Sequence, residues 1–180
     1  MTPVLPELVT RRLRLRPFRE ADAADVHTLL SHPGVAAGML SIPSPYPAGL
    51  ALTWIRSRPA AAEEGHAYSW AITPQDGAAL LGSVTLSPDP GQDRAELGYW
   101  IGVPFWGQGH ATEAVAAVLA FGFGSLGLHR IHATVFPRNA ASARVLEKSG
   151  FRREGLLRGY ARKESKFEDL VMYARLRTDR

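Results

Sequence analysis

The sequence predicts a single α+β domain over residues 1–180, built on one mixed, mostly antiparallel sheet with helices on both faces. Three observations lead there. The chain has 180 residues, enough for one hydrophobic core and few for two. Hydrophobic residues make up 46% and charged residues 21%, the balance of a globular rather than a disordered chain. Strand-like alternation and helical stripes then succeed one another along the chain, with tight turns between consecutive strands.

Leu13, Leu15, Pro17 and Phe18 alternate with Arg12, Arg14 and Arg16, the period of a half-buried strand. Glu20-Ala-Asp-Ala-Ala-Asp opens a helix that turns Val26, Leu29 and Leu30 inward, and Pro33 and Gly34 are expected to end it. Ser41–Gly49 holds Pro43, Pro45 and Pro47; with Tyr46 it could line a cleft or simply link two elements. A second helix is expected from about Ala48 to Ala62, anchored by Leu52, Trp54 and Ile55.

Strands are then expected at Ala67–Thr73, Leu80–Leu86 and Arg94–Val103. Pro74-Gln-Asp-Gly and Pro88-Asp-Pro-Gly turn the chain between them, which makes an antiparallel meander. Thr112–Leu126 carries Val115, Val118, Leu119, Gly122 and Leu126 three and four apart, a helical stripe with Gly127 as its stop. Arg130–Phe136 alternates as a strand up to Pro137. Asn139–Ser149 is a short helix stopped at Gly150, with Phe151 folding back on it. Two last strands are expected at about Arg152–Leu157 and Phe167–Leu176.

Composition removes several chemistries. There is no cysteine, so disulfides, thiolate metal sites and an acyl-cysteine intermediate are excluded. The most apolar stretch, Ala114 to Leu128, is broken by Gly122, Gly124 and Gly127 and is shorter than the roughly 20 residues of a spanning helix. Met-Thr-Pro-Val-Leu-Pro-Glu-Leu lacks the basic start and apolar run of a signal peptide. A cytoplasmic protein without membrane association is expected. The net charge is +4, and Arg152, Arg153, Arg158, Arg162, Lys163 and Lys166 gather late in the chain. That cluster reads either as a solvated face or as a surface for an acidic partner. His110, His129 and His132 have no second ligand at a metal-like spacing, so no metal is assigned.

One segment points to ligand chemistry. Gly98-Tyr-Trp-Ile-Gly-Val-Pro-Phe-Trp-Gly-Gln-Gly-His-Ala-Thr-Glu-Ala reads as a strand, a glycine-rich turn and a helix start. Gly107 and Gly109 permit unusual backbone angles and let a ligand approach the main chain. The free N–H groups of Gln108, Gly109, His110, Ala111 and Thr112, with the helix dipole, form an anion site that a pyrophosphate fits. The same turn could merely pack the helix on the sheet. The pattern is neither a P-loop nor a dinucleotide fingerprint.

The wider pattern resembles the GNAT acetyltransferases. Gly98-Tyr-Trp-Ile and Trp106-Gly-Gln-Gly-His-Ala-Thr-Glu-Ala carry the likeness first. Arg130-Ile-His-Ala-Thr-Val-Phe-Pro-Arg-Asn, Ser142, Glu147-Lys-Ser-Gly-Phe and Glu154-Gly follow in order. Within the family, Thr10-Arg-Arg-Leu-Arg-Leu-Arg-Pro-Phe and Met172-Tyr-Ala-Arg-Leu look like the branch that acetylates the N-termini of ribosomal proteins. The resemblance covers nearly the whole chain.

It implies a GNAT-like fold with splayed central strands and acetyl-CoA as co-substrate. The amides of Gln108, Gly109, His110, Ala111 and Thr112 would cradle the pyrophosphate, with Gly107 giving access. The backbone of Ile101, Gly102 and Val103 would pair with the pantetheine arm, because the strand from Arg130 is splayed away. Asn139 would hold the arm, cap its own helix, or both. An amine would attack the thioester directly, without an acyl-enzyme. Glu96 is the candidate base acting through water, or else a strand-surface residue paired with an arginine. A backbone N–H near Ile101 would stabilise the oxyanion.

Leu146 stands where many relatives have an acidic tyrosine, and Ala161 where the ribosomal branch can carry a carboxylate. Ser142, one helical turn before Leu146, resembles that branch's serine and could orient water or hydrogen-bond the thiolate. The acceptor implied is a protein N-terminus, ribosomal proteins included, in a cleft lined by the Tyr46 loop and the last strands. The alternatives are a small-molecule amine, a non-catalytic acetyl-CoA-binding module, or an RNA binder using the basic cluster. The family often forms homodimers.

Overall fold

The computed structural model of the chain describes residues 5–179. Met1–Val4, half of the stretch read for a leader, and Arg180 lie outside the described residues. The strands are β1 (Leu8–Val9), β2 (Leu13–Arg16), β3 (Tyr68–Pro74), β4 (Gly82–Asp89), β5 (Arg94–Ile101), β6 (Arg130–Val135), β7 (Arg152–Lys163) and β8 (Lys166–Leu176). The helices are α1 (Ala23–Leu30), α2 (Pro33–Gly38), α3 (Leu50–Glu63), α4 (His110–Ala120) and α5 (Ala140–Lys148).

One sheet runs β1-β2-β3-β4-β5-β6-β8-β7. Only β5 and β6 are parallel neighbours among the described residues; the connection between them carries α4 across the sheet. Their pairing stops at Glu96 opposite His132, although β5 continues to Ile101. The central strands are therefore splayed.

Side-chain alternation on β5 divides the core. Ala95, Leu97 and Ile101 pack with Val115, Val118 and Leu119 of α4, while Trp100 packs with Val26, Leu30 and Ile55 of α1 and α3. Helices thus cover both faces, as expected. Arg16 departs from the alternation: it is buried and forms a bidentate pair with Asp22, both bonds 2.8 Å long. The Arg19 N–H adds a third bond to that carboxylate, at 2.7 Å.

Four boundaries differ from expectation. Pro33 starts a helix instead of ending one: it sits in the first turn of α2, and His32 Nδ1 accepts the Gly34 N–H at 3.0 Å as a cap. Proline suits that position because it has no N–H to leave unpaired. β5 ends at Ile101, since Gly102 turns into a short 3₁₀ segment at Val103–Phe105. α4 begins at His110 and runs past Ala120 into a π-helical turn, Phe121–Ser125, where Gly122 packs so closely on Ile131 and Leu86 that a Cβ would not fit. β7 runs on to Lys163 and makes a long hairpin with β8; irregular pairing near Arg153–Gly155 and Leu157–Ala161 breaks the alternation that would mark a strand.

Candidate active site

A cavity of about 550 Å³ opens beside the splay of β5 and β6. Its walls come from α2, the end of β5, the glycine turn with the start of α4, and α5. Gly107 and Gly109 have φ of 73° and 80°, a left-handed backbone that other residues adopt only with strain. Gly109 is the residue before the helix, and no side chain caps α4. The first helical N–H groups are thereby left for a ligand, at the positive end of the dipole. Arg138, Arg144 and Lys148 line the same cavity. Together these features fit a bound polyphosphate.

The turn is held from behind by Thr10 and Arg12, in the link between β1 and β2. Arg12 Nη1 donates to the Gln108 carbonyl at 3.0 Å and Arg12 Nε to Glu113 Oε2 at 2.7 Å. Glu113 Oε1 also accepts from the Thr10 hydroxyl at 2.6 Å and the Arg12 N–H at 2.9 Å. Burial would raise the Glu113 carboxyl, but these donors outweigh it and hold it below the usual carboxylate range. His110 is pushed below the usual imidazole range by burial, then by Arg12, with Glu113 opposing. Its Nδ1 is buried without a hydrogen-bond partner and its Nε2 lies 3.2 Å from Gln108 Oε1. A polar cavity wall thus keeps one unpaired nitrogen.

Of the residues singled out from sequence, Ile101, Gly107, Gly109, His110, Ala111, Thr112, Asn139 and Ser142 line this cavity. Gly102, Val103, Gln108 and Glu96 do not. Gly102 packs on Leu29 and gives its N–H to Leu81, at 2.8 Å. The Val103 carbonyl accepts the Trp106 N–H. The Ile101 carbonyl accepts Trp106 Nε1 at 2.6 Å. The expected open edge at Ile101–Val103 is therefore largely used within the chain, and the unpaired β5 edge lies between Glu96 and Ile101 instead. The Gln108 carbonyl is taken by Arg12, and its side-chain amide reaches Pro104 and His110. Glu96 is exposed on β5, opposite His132 where the strands part.

Asn139 caps α5, its Oδ1 accepting the Ser142 N–H at 3.1 Å, which leaves its amide nitrogen for a ligand. Ser142 meets Tyr99, to which the sequence motifs assign no role. The Tyr99 hydroxyl lies 2.8 Å from Ser142 Oγ and donates to the Ser142 carbonyl at 3.0 Å. Burial pushes the Tyr99 phenol up to about 12, with the Ser142 bond pulling the other way. Alternation could tell which face Tyr99 takes; only tertiary structure brings α5 to it.

The family described as Acetyltransferase (GNAT) domain matches residues 12–152. The chain belongs to the GNAT acetyltransferases. It is an acyltransferase of the N-acetylating type. Among relatives of this GNAT chain, the N-acetyltransferase YoaA of Bacillus subtilis, itself described as uncharacterised, is 35% identical over 160 residues, 87% of this chain and 89% of that one. A [Ribosomal protein uS5]-alanine N-acetyltransferase of Escherichia coli is 33% identical over 78 residues, 43% of this chain and 40% of that one. A structure of Mycobacterium smegmatis RimJ in complex with CoA-disulfide is 27% identical with a TM-score of 0.80, spanning 97% of this GNAT chain and 88% of that protein.

Proposed function

We propose that this acetyltransferase moves acetyl from acetyl-CoA to the N-terminal α-amine of a polypeptide, a ribosomal protein by type, in the cytoplasm. The observation that carries the donor half is the uncapped start of α4 facing a cavity lined by Arg138, Arg144 and Lys148. Backbone N–H groups and cations there match the phosphates of a coenzyme A thioester. The acceptor half draws on the likeness to the Escherichia coli [Ribosomal protein uS5]-alanine N-acetyltransferase.

The chemistry follows from what the cavity offers. The bound thioester supplies an acyl carbonyl and a thiolate leaving group. An α-amine with a pKa of about 7.7–8.0 is partly neutral at physiological pH, whereas a lysine near 10.4 is not. The neutral amine attacks the carbonyl carbon, the C–N bond forms, and the C–S bond breaks. The ammonium proton leaves through water. Glu96 stands outside the cavity wall, so its part is that of a remote acceptor reached through solvent. Ser142, held by Tyr99, is the hydroxyl placed to hydrogen-bond the departing sulfur.

The test is free-thiol release from acetyl-CoA with alanine- and serine-initiated peptides, ε-amine peptides and small amines. Turnover with α-amine peptides and little with the others supports the reading. Preference for small amines would move the chain to small-molecule acetylation. Loss of turnover in Ser142→Ala with Glu96→Gln near wild type is the expected residue pattern; the reverse would restore Glu96 as the base acting through water.

A further inference from the structure

Lys163 closes β7 at the tip of the β7–β8 hairpin. Its ammonium does not point to solvent or to the cavity. Nζ donates to the Met39 carbonyl at 2.6 Å and the Ala36 carbonyl at 3.0 Å, and reaches the Ile42 carbonyl at 3.5 Å. An ammonium has three donors and no acceptor, so this set uses its whole capacity. The carbonyls belong to the end of α2 and the chain just beyond it, where a helix favours a cation; the Ala36 carbonyl accepts the Met39 N–H as well, at 3.2 Å.

That segment is a cavity wall. Gly34, Val35, Ala37, Gly38 and Met39 all line it. Gly34 and Gly38 leave no slack: a Cβ on either would come within 3.2 Å of the Trp106 ring and 3.1 Å of the Asn139 amide nitrogen respectively. The hairpin also holds the other wall. Glu168 of β8 accepts Arg138 Nη1 at 2.8 Å, and Arg138 lines the cavity just before α5. One hairpin therefore grips both sides of the cavity, at Lys163 and at Glu168. The α2 wall is apolar and carries no cation, so it is not the phosphate-binding side.

We infer that Lys163 is a positioning residue: it fixes the α2 wall and thereby the fit of the acceptor amine, without touching the donor phosphates. This rests on the acetyl-transfer reading for its kinetic part alone. Lys163→Met keeps length and loses the charge and donors. With an alanine-initiated peptide it raises the acceptor KM about tenfold, the scale of one lost charged hydrogen bond. The acetyl-CoA KM stays within about twofold. Lys163→Arg, which restores cationic donors, recovers most of the acceptor KM.

A second readout needs no turnover. Hydrogen exchange over residues 36–42 speeds up in Lys163→Met, while the amides of β3–β5 exchange as in wild type. If Lys163→Met does not fold, Lys163→Gln is measured by the same two readouts and judged by the same rule. Equal changes in both KM values, or unchanged exchange over residues 36–42, overturn the assignment. A chain that turns over no amine in any form, yet shows the exchange change, would sink the acceptor reading and leave the clasp standing.

Discussion

The Tyr99 phenol and the Ser142 hydroxyl lie 2.8 Å apart, one on the splayed end of β5 and the other in the first turn of α5. The same phenol donates to the Ser142 carbonyl. In the shorter contact either hydroxyl can be the donor; with the phenol donating, the Ser142 proton is free to turn toward the cavity. This bond joins the strand that borders the splay to the helix on the other side of the cavity. It also orients Ser142, whose hydroxyl has the Tyr99 phenol and no histidine or carboxylate as hydrogen-bond partner among the described residues, an arrangement that suits direct attack by the amine.

Tyr99→Phe should lower kcat about tenfold, the worth of one hydrogen bond, with the acetyl-CoA KM little changed. Because burial keeps the phenol near 12, it stays protonated between about pH 6 and pH 9. The ratio of wild-type to variant rates should therefore be constant over that range. Thiol-release assays across pH check both statements, and a ratio that falls with pH would assign the tyrosine a titrating role.

Gly109→Ala tests the anion site. A side chain at φ of 80° costs about 1–2 kcal/mol. The helix start can relieve this only by turning its N–H groups away. We expect acetyl-CoA affinity to fall by more than the melting temperature implies, measured by calorimetry and thermal unfolding. Gly124→Ala, where a Cβ meets nothing within 4 Å, should leave affinity unchanged.

Glu113→Gln should act on the same site from behind. It weakens the grip of Thr10 and Arg12 on α4, and Arg12 in turn holds the Gln108 carbonyl. The acetyl-CoA KM should rise several-fold and the acceptor KM should not. Steady-state kinetics with each substrate varied in turn separates the two.

Stability in acid should depend on Asp22. Its side chain is 9% exposed and that of Arg16 7% exposed, so Asp22→Asn leaves a buried guanidinium unpaired and costs about 3–5 kcal/mol. Burial alone would raise the Asp22 carboxyl; Arg16 and the Arg19 N–H outweigh it and bring it below the ordinary range. A depressed carboxyl stabilises the fold above its unfolded pKa of about 3.9 and loses that contribution as pH falls through its lower folded value. Denaturant unfolding at pH 7 and at about pH 3 should show a smaller loss in Asp22→Asn than in wild type, the remainder coming from Glu113, Glu154 and the other depressed carboxyls.

The local sequence determined a large part of this protein. Alternation placed β2 and β6, turn signals bounded β3, β4 and β5, and Gly107 and Gly109 marked the turn into α4, because period, turn chemistry and left-handed angles are properties of neighbouring residues. The ordered motifs carried the family. Local signals misread Pro33, since a proline that stops one helix equally starts the next, and missed the length of β7, whose bulges erase its period.

What only the tertiary structure decided is which distant groups meet. Tyr99 with Ser142, Trp106 with the Ile101 carbonyl, and Lys163 with the carbonyls of Ala36 and Met39 are all contacts through space. The same holds for the backbone of Ile101, Gly102 and Val103, which the resemblance assigned to the pantetheine arm: the Ile101 carbonyl, the Gly102 N–H and the Val103 carbonyl have partners within the chain. Hydrogen bonds are satisfied by whichever partner the packing brings within about 3 Å, and sequence spacing does not encode that distance.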